Sequence, residues 1–326
     1  ATQTVMDGDL TLRAKTRYLI EDQGFVSSGV FGNRFSVADV PNFGAIVGET
    51  VGNNLVREIK AEGLFAIASA DYKGKYILDG LIRRDGSSLF GPDERWQTYY
   101  RGSAAWRVSQ EDWWNVDWID EFKLRFSLGT AGGRPNFFAQ YETFGVAAGA
   151  IFPISLGNAA LKPEYTVEQE AGINMVIAEK FGVDLTYAWQ TTDDQLLQVP
   201  QPAFVGFSSQ WQNAGAIEAE THEVSLRYSA IDTRDTGLQF RIGWDRTQQI
   251  ITRLDVPPYR VGNYFVAEGR PLGEFWGSPL AATCADLGPI GISAADCEAN
   301  FDVNNEGRLV AVGEGNSYTD GFGKSL

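Results

Sequence analysis

The sequence has one histidine, His222, two cysteines, Cys284 and Cys297, and two methionines in 326 residues. A single imidazole excludes a metal centre with several histidine ligands, and any serine or cysteine triad would have to be built on His222 alone. The cysteines match neither thioredoxin nor zinc-ribbon spacing and lie in a Gly- and Ala-rich stretch, so a disulfide is the simplest reading. There is no GxxxxGK[ST] loop and no strand-linked GxGxxG element, which leaves nucleotide chemistry without support. Basic charge is also scarce. With 27 Lys+Arg against 42 Asp+Glu the net charge is −15, which argues against a nucleic-acid partner. No run of 18 or more apolar residues occurs, so a transmembrane helix is excluded. A transmembrane β-barrel is not, because its strands alternate lipid-facing and lumen-facing residues. Ala1-Thr2-Gln3-Thr4 has neither a charged n-region nor an apolar h-region, so any secretory signal is removed or lies outside this sequence.

What the chain does have is aromatics, 13% of residues with nine Trp and twelve Tyr, and 36 Gly spread among Asn, Asp and Ser. Alternation is the dominant pattern. Leu10, Leu12, Ala14, Thr16, Tyr18 and Ile20 fall on one side of a strand, with Thr11, Arg13, Lys15 and Arg17 on the other. The same period returns in Leu64–Tyr72, Lys75–Arg84, Thr98–Val108, Glu121–Thr130, Thr166–Ile177, Val183–Gln190, Thr221–Ala230 and Leu238–Gln248. Most of these runs are roughly 9 to 13 residues long, whereas soluble strands have a mode near five or six and a tilted membrane strand needs about 9 to 11.

Connection lengths alternate too. Short links at Tyr72–Lys75, Ala178–Gly182 and Thr233–Thr236 separate long ones at Asp22–Glu58, Asp85–Arg95, Ala131–Glu164, Val199–Gly215 and Arg253–Leu326. Short turns on one side and long loops on the other are the outer-membrane barrel arrangement, with the long loops outside the cell. Trp96, Tyr99, Tyr100, Trp106, Trp113, Trp114, Trp118 and Trp189 gather near strand ends, as an interfacial girdle requires; filling a soluble core is the alternative. The expected fold is all-β, an antiparallel transmembrane β-barrel portion with long extracellular loops and short periplasmic turns. Residues 1–252 are read as barrel strands and loops, and 253–326 as a long extracellular loop region.

Four elements, in order, carry a family resemblance. Arg83-Arg84-Asp85-Gly86-Ser87-Ser88-Leu89-Phe90-Gly91 resembles the RRDGSS-x-FG element of SusC/RagA-type TonB-dependent transporters. Ala105-Trp106-Arg107-Val108-Ser109-Gln110-Glu111 is similar to aWr-x-S-x-E, and Phe122–Gly129 to lKLRxSxG. Leu161-Lys162-Pro163-Glu164, followed by Glu168, Glu170 and Gly172, is similar to LkPE…E-x-E-x-G. The resemblance implies a plugged 22-stranded outer-membrane barrel. No plug domain, TonB box, carboxypeptidase-like extension or final aromatic-ended strand is found in these residues, so the chain is read as a fragment from the second half of the barrel. The resemblance further implies active import of large nutrients, oligosaccharides or peptides, with the TonB complex acting through the missing plug and a SusD-like surface lipoprotein capping the barrel. Outer-membrane lipid is the surrounding partner. A passive porin and a surface carbohydrate-binding β-sandwich are the rival readings.

Candidate site residues follow from position. Arg83, Arg84 and Asp85 stand where a strand enters an outside loop and offer polar contacts to a ligand; alternatively Asp-Gly forms a turn and the arginines pair with lumen carboxylates. Glu168, Glu170 and Asn174 share a strand face, giving a polar lumen stripe with no nucleophile near it, so no enzyme activity is expected. His222 reads as a barrel-wall position. Phe204, Phe207 and Trp211, with Phe137, Phe138 and Tyr141, can stack on sugars, pack against a lid protein, or hold their own loops together. No cofactor is expected beyond calcium, for which Asp302, Asn304 and Glu306 stand at alternate positions with Gly307 at the sixth, like the first half of a calcium loop. Gly313 occupies the twelfth position, where that loop has a bidentate Glu, so an Asx-rich turn is the other reading.

Overall fold

A computed structural model describes residues 1–312 except 33, 38, 41, 49, 148, 149, 278, 279, 305 and 306. The chain divides into two compact units, Ala1–Tyr259 with Ala267–Leu272, and Arg260–Val266 with Gly273–Leu326.

The first unit is built on a long antiparallel sheet. Strands β1 (Thr2–Val5), β2 (Leu10–Gly32), β3 (Thr50–Tyr72), β4 (Tyr76–Ser87), β5 (Trp96–Arg107) and β6 (Ile119–Ala131) lie side by side in sequence order. The chain then leaves the sheet as β7 (Thr143–Ala147) and β8 (Ala150–Leu156), and returns as β9 (Tyr165–Ile177) and β10 (Phe181–Asp193). It leaves again as β11 (Leu196–Pro200) and β12 (Ser209–Asn213), and returns as β13 (Gly215–Asp232) and β14 (Gly237–Leu254). The ten sheet strands run β1-β2-β3-β4-β5-β6-β9-β10-β13-β14.

Register separates the two faces, because side chains alternate along each strand and neighbours in a cross-strand row point the same way. One row reads Leu12, Ala70, Leu78, Ala104, Phe126, Ala171, Tyr187, His222, Arg246. The adjacent row, on the opposite face, reads Arg13, Ser69, Asp79, Ser103, Ser127, Glu170, Ala188, Thr221, Thr247. The apolar face is exposed, with Leu78 at 55% and Ile242 at 66% of full accessibility. In a membrane barrel that face meets lipid and the polar face lines the lumen.

Aromatic rings collect where the short turns lie. Tyr72, Tyr76, Trp106, Trp113, Trp114 and Phe122 form a chain of ring contacts, and Phe181, Tyr228 and Phe240 form another. This is a girdle at one membrane interface.

Three expected loops are instead structured. Asp22–Glu58 is largely a β-ribbon, because β2 and β3 stay in register out to Gly32 and Thr50. Their Gly, Ser and Asn residues suggest turns, yet the two strands pair residue for residue along the ribbon, and the Arg57 guanidinium stacks 4.5 Å from the Phe25 ring centre. Within Ala131–Glu164 and Val199–Gly215 lie most of the strands of a second sheet, ordered β11-β12-β8-β7, in which β8 and β12 run parallel. Strands of five to seven residues leave no alternation long enough to read, and the β8–β12 pairing joins residues more than 50 positions apart.

The second unit has its own small core. It contains short strands β15 (Tyr259–Val261), β16 (Tyr264–Val266) and β17 (Glu274–Phe275), helices α1 (Cys284–Leu287) and α2 (Ala294–Asn300), and the hairpin β18 (Phe301–Val303) with β19 (Leu309–Ala311). Ala281, Leu287, Cys297 and Leu309 are buried together, and a Cys284–Cys297 disulfide joins the two helices. Ser293 caps α2 by accepting the Asp296 N–H at 3.1 Å.

Candidate functional site

The lumen-facing side of the sheet carries a ladder of ion pairs set by cross-strand register. Arg101 on β5 donates both ways into Asp79 on β4, at 2.9 and 3.1 Å. Arg125 on β6 bonds Glu170 on β9 and Thr186 on β10, spanning three strands. Asn174 donates to Asp184 on the same face. Higher up, Arg83 pairs with Asp85, and Arg134 reaches Glu21 at 3.2 Å. These pairings are invisible in the sequence without register. Their readable signal is limited to charged residues at alternate strand positions.

Of the candidate ligand residues, Arg83 and Asp85 lie together on the lumen face, and the Arg83 guanidinium is 5.8 Å from the Phe65 ring centre. Arg84 points to the other face, 6.0 Å from the ring of Trp96. The three therefore do not make one cluster, since neighbours on a strand face opposite ways. Phe204 is 90% exposed, whereas Phe207 packs edge-on against Phe144 at 5.8 Å and Trp211 packs on buried Ala139, Leu161 and Leu196. Phe137 stacks edge-on with Phe138 and contacts Tyr141, so these rings partly hold their own loop. His222 sits on the apolar face against Tyr187, with ring centres 4.8 Å apart.

The recognisable motifs turn out to be fasteners. In the first, Ser88 donates its N–H to Lys60 O, Gln140 donates to Ser88 O, and Phe90 is buried. Gly91 passes so close to Ala159 that a Cβ would lie 2.1 Å from its carbonyl oxygen, so only glycine fits. In the second, the Glu111 carboxylate receives the Tyr76 hydroxyl at 2.5 Å, the Trp106 Nε1–H at 2.8 Å and Lys75 at 3.4 Å. The Tyr76 and Trp106 hydrogen bonds, aided by Lys75, hold Glu111 below the usual carboxylate range against the opposing effect of burial. In the fourth, Leu161 is fully buried and Glu164 accepts the Leu196 N–H at 2.8 Å.

At the calcium-like turn, Asp302 Oδ1 accepts the Val303 N–H at 2.8 Å and Asn304 Oδ1 accepts the Arg308 N–H at 2.9 Å. Glu306 lies outside the described residues. Among the described residues no group of three or more His, Cys, Asp or Glu side chains is placed to hold a metal ion. The lumen ladder can bind and guide polar solutes through hydrogen bonds and charge.

Comparison with known proteins fits this geometry. The chain is 31% identical over 226 residues to TonB-dependent receptor P39 of Formosa agariphila, covering 66% of this chain and 22% of that protein. It is 28% identical over 199 residues to TonB-dependent receptor SusC of Bacteroides thetaiotaomicron, covering 55% of this chain and 20% of that protein. A structure described as the RagAB peptide transporter superposes with a TM-score of 0.73 at 19% identity, covering 87% of this chain and 33% of that one. The chain thus spans about a fifth to a third of these relatives' lengths. Residues 2–311 match the family described as TonB dependent receptor-like, beta-barrel. The chain belongs to the TonB-dependent receptor β-barrel family of the outer membrane, consistent with the SusC/RagA type.

Proposed function

We propose that this chain forms part of the wall and outer loops of an importer that moves large nutrients, oligosaccharides or peptides, across the outer membrane. The observation that carries this reading is the largely polar row on one face of a ten-stranded sheet whose other face is largely apolar and exposed. In a wide barrel such a lumen leaks unless plugged, and a plugged lumen conducts only when something moves the plug. The residues here supply no nucleotide-binding loop, so the work comes from the TonB complex acting on a segment outside this chain. A SusD-like lipoprotein captures the nutrient over the long loops. Within that arrangement the exposed ring of Phe204 and the Arg83–Asp85 pair are the contacts offered to substrate, while Arg84, Phe207 and Trp211 anchor the loops.

Uptake of labelled oligosaccharides and peptides by cells carrying the full-length gene tests this directly. Uptake should cease when TonB is deleted while surface binding persists. Equal uptake with and without TonB would support the passive porin instead.

A further inference from the structure

Glycine weakens the interior of a strand and often marks a point where another group comes close. On the lumen face of the sheet four strand glycines each stand directly opposite a charged residue: Gly63 opposite Asp85, Gly129 opposite Arg101, Gly172 opposite Arg125 and Gly182 opposite Arg227. On the lipid face, by contrast, Gly80 and Gly102 face each other and Gly86 lies under the Trp96 ring. The lumen-face charges lie down over their glycines. A Cβ would stand 3.4 Å from Arg101 Cγ at Gly129, 3.0 Å from the Arg227 guanidinium at Gly182, and 2.5 Å from Asp85 Oδ1 at Gly63 and from Arg125 Nε at Gly172. All four pairs join strands that have a neighbour on both sides.

Gly172 is the clearest case. Arg125 crosses β9 over it, pairing with Glu170 on that strand and bonding Thr186 on β10 beyond. The Arg125 Nε carries no hydrogen bond among the described residues, so its closeness to Gly172 is a matter of space. An ion pair by itself needs no glycine: Arg107 pairs with Glu121 while standing opposite Lys123. What the glycine adds is depth. With it the guanidinium rests against the wall. With a Cβ in its place the far end of the arginine, which is flexible, has to rise into the lumen, and the strands need not move.

We propose that Gly172 sets how large a solute the lumen passes, by keeping the Arg125 guanidinium flat against the wall. It is a positioning residue, acting through Arg125 and not by touching the solute. Gly182 does the same for Arg227, and Gly129 less strictly for Arg101. Lying flat, a guanidinium keeps its charge and its N–H donors at the wall while the lumen keeps its width. The inference rests on the reading of this face as the wall of an import path, and it deepens that reading by naming what limits the size of the cargo.

Uptake of labelled oligosaccharides and peptides graded in length, by cells carrying the full-length gene, tests it. Gly172→Ala should fold, seen as heat-modifiable migration in gels, and should lose uptake of the longest solutes while keeping that of the shortest. The Gly172→Ala/Arg125→Ala double variant should recover the long solutes, which a merely structural defect of β9 would not allow. Gly80→Ala, at a strand glycine on the lipid face, should leave the size limit where it is. If Gly172→Ala does not fold, Gly182→Ala, where the neighbour has only to give by a few tenths of an ångström, carries the same comparison with Arg227→Ala. Equal loss at every length, no recovery on removing the arginine, or an unchanged limit in the folded glycine variant overturns the proposal. So does a new sensitivity of the cells to a large antibiotic, which would show that the glycine fits the plug and not the cargo. Wild-type uptake that ignores TonB would overturn the active-import reading alone, because a passive lumen also sieves by size and the same variants still decide the inference. No wild-type uptake of any of these solutes overturns both.

Discussion

The ten-stranded sheet and the disulfide-bearing unit use hydrophobic residues in opposite ways. In the sheet, Ile82, Ile242 and Trp244 face outward with more than half of their surface open, and cohesion within the described residues comes from backbone ladders and polar pairs on the other face. In the second unit, Leu287 and Cys297 have no accessible surface and pack with Ala281 and Leu309 as in a small soluble domain. One chain therefore answers to two solvents. Where lipid is the surroundings an exposed leucine is at its energy minimum, and where water is the surroundings the same residue must go inside.

Substitutions that remove apolar bulk should separate the two regions most sharply. Leu287→Ala should leave a cavity and cost the second unit about 2–5 kcal/mol. Ile242→Ala, where lipid refills the space, should cost markedly less; urea unfolding of protein in lipid vesicles, read by protease resistance of each region, measures both. Equal costs would erase the distinction. Next in size, Leu124→Arg or Phe126→Arg should destabilise the sheet by about 2–4 kcal/mol near the bilayer midplane, while Lys123→Ala on the lumen face should leave folding in vesicles nearly unchanged. Similar losses from both classes would mean the register that assigns the two faces is wrong.

Closing the Cys284–Cys297 loop should stabilise the second unit by about 3 kcal/mol. Reduction should therefore expose residues near 284–300 to protease and spare the sheet. Cleavage that spreads into the sheet on reduction would show the two units to be one cooperative block.

The smallest effect concerns pH. Glu111, at the short-turn edge of the sheet, is held below the usual carboxylate range first by the Tyr76 hydroxyl and then by Trp106. Asp286, in the second unit, is held low first by the Thr283 backbone N–H and then by that of Ala282. A carboxylate with a lowered folded-state pKa contributes stability that is complete above its ordinary value and disappears as pH falls through the lowered one. Glu111→Gln should thus flatten the acid-side loss of sheet stability below about pH 4.5, and Asp286→Asn should do so for the second unit alone. Urea midpoints collected between pH 3 and 6 give the comparison, and an unaltered acid slope in both variants would rule out these carboxylates as its source.

The nine alternating runs were legible because period two survives wherever one face meets lipid and the other meets polar groups, as in Lys75–Arg84 and Glu121–Thr130, which became β4 and β6. The ribbon over Asp22–Glu58 was not legible. There neither face is held to one solvent, so Val26 and Phe31 share their strand with Ser27, Ser28 and Gly29 and no pattern is enforced. The loop sheet was hidden for a different reason: Ser155 meets Ser209 across 54 positions, a contact to which local sequence is blind. Site residues divided the same way. Arg83 and Arg84 look alike in sequence, and strand alternation sends one to Asp85 and the other to Trp96.

By itself the sequence determined the nine long alternating runs of the sheet and their two faces, because hydrophobic period is local and answers directly to the solvent on each face. Only the tertiary structure decided which charges meet. Arg125 finds Glu170 and Thr186, and His222 comes to stand opposite Arg246 at the end of an otherwise apolar row, through register accumulated strand by strand. Register is a sum of pairings over the whole sheet, and a shift of one residue at any ladder would turn each of these side chains to the opposite face.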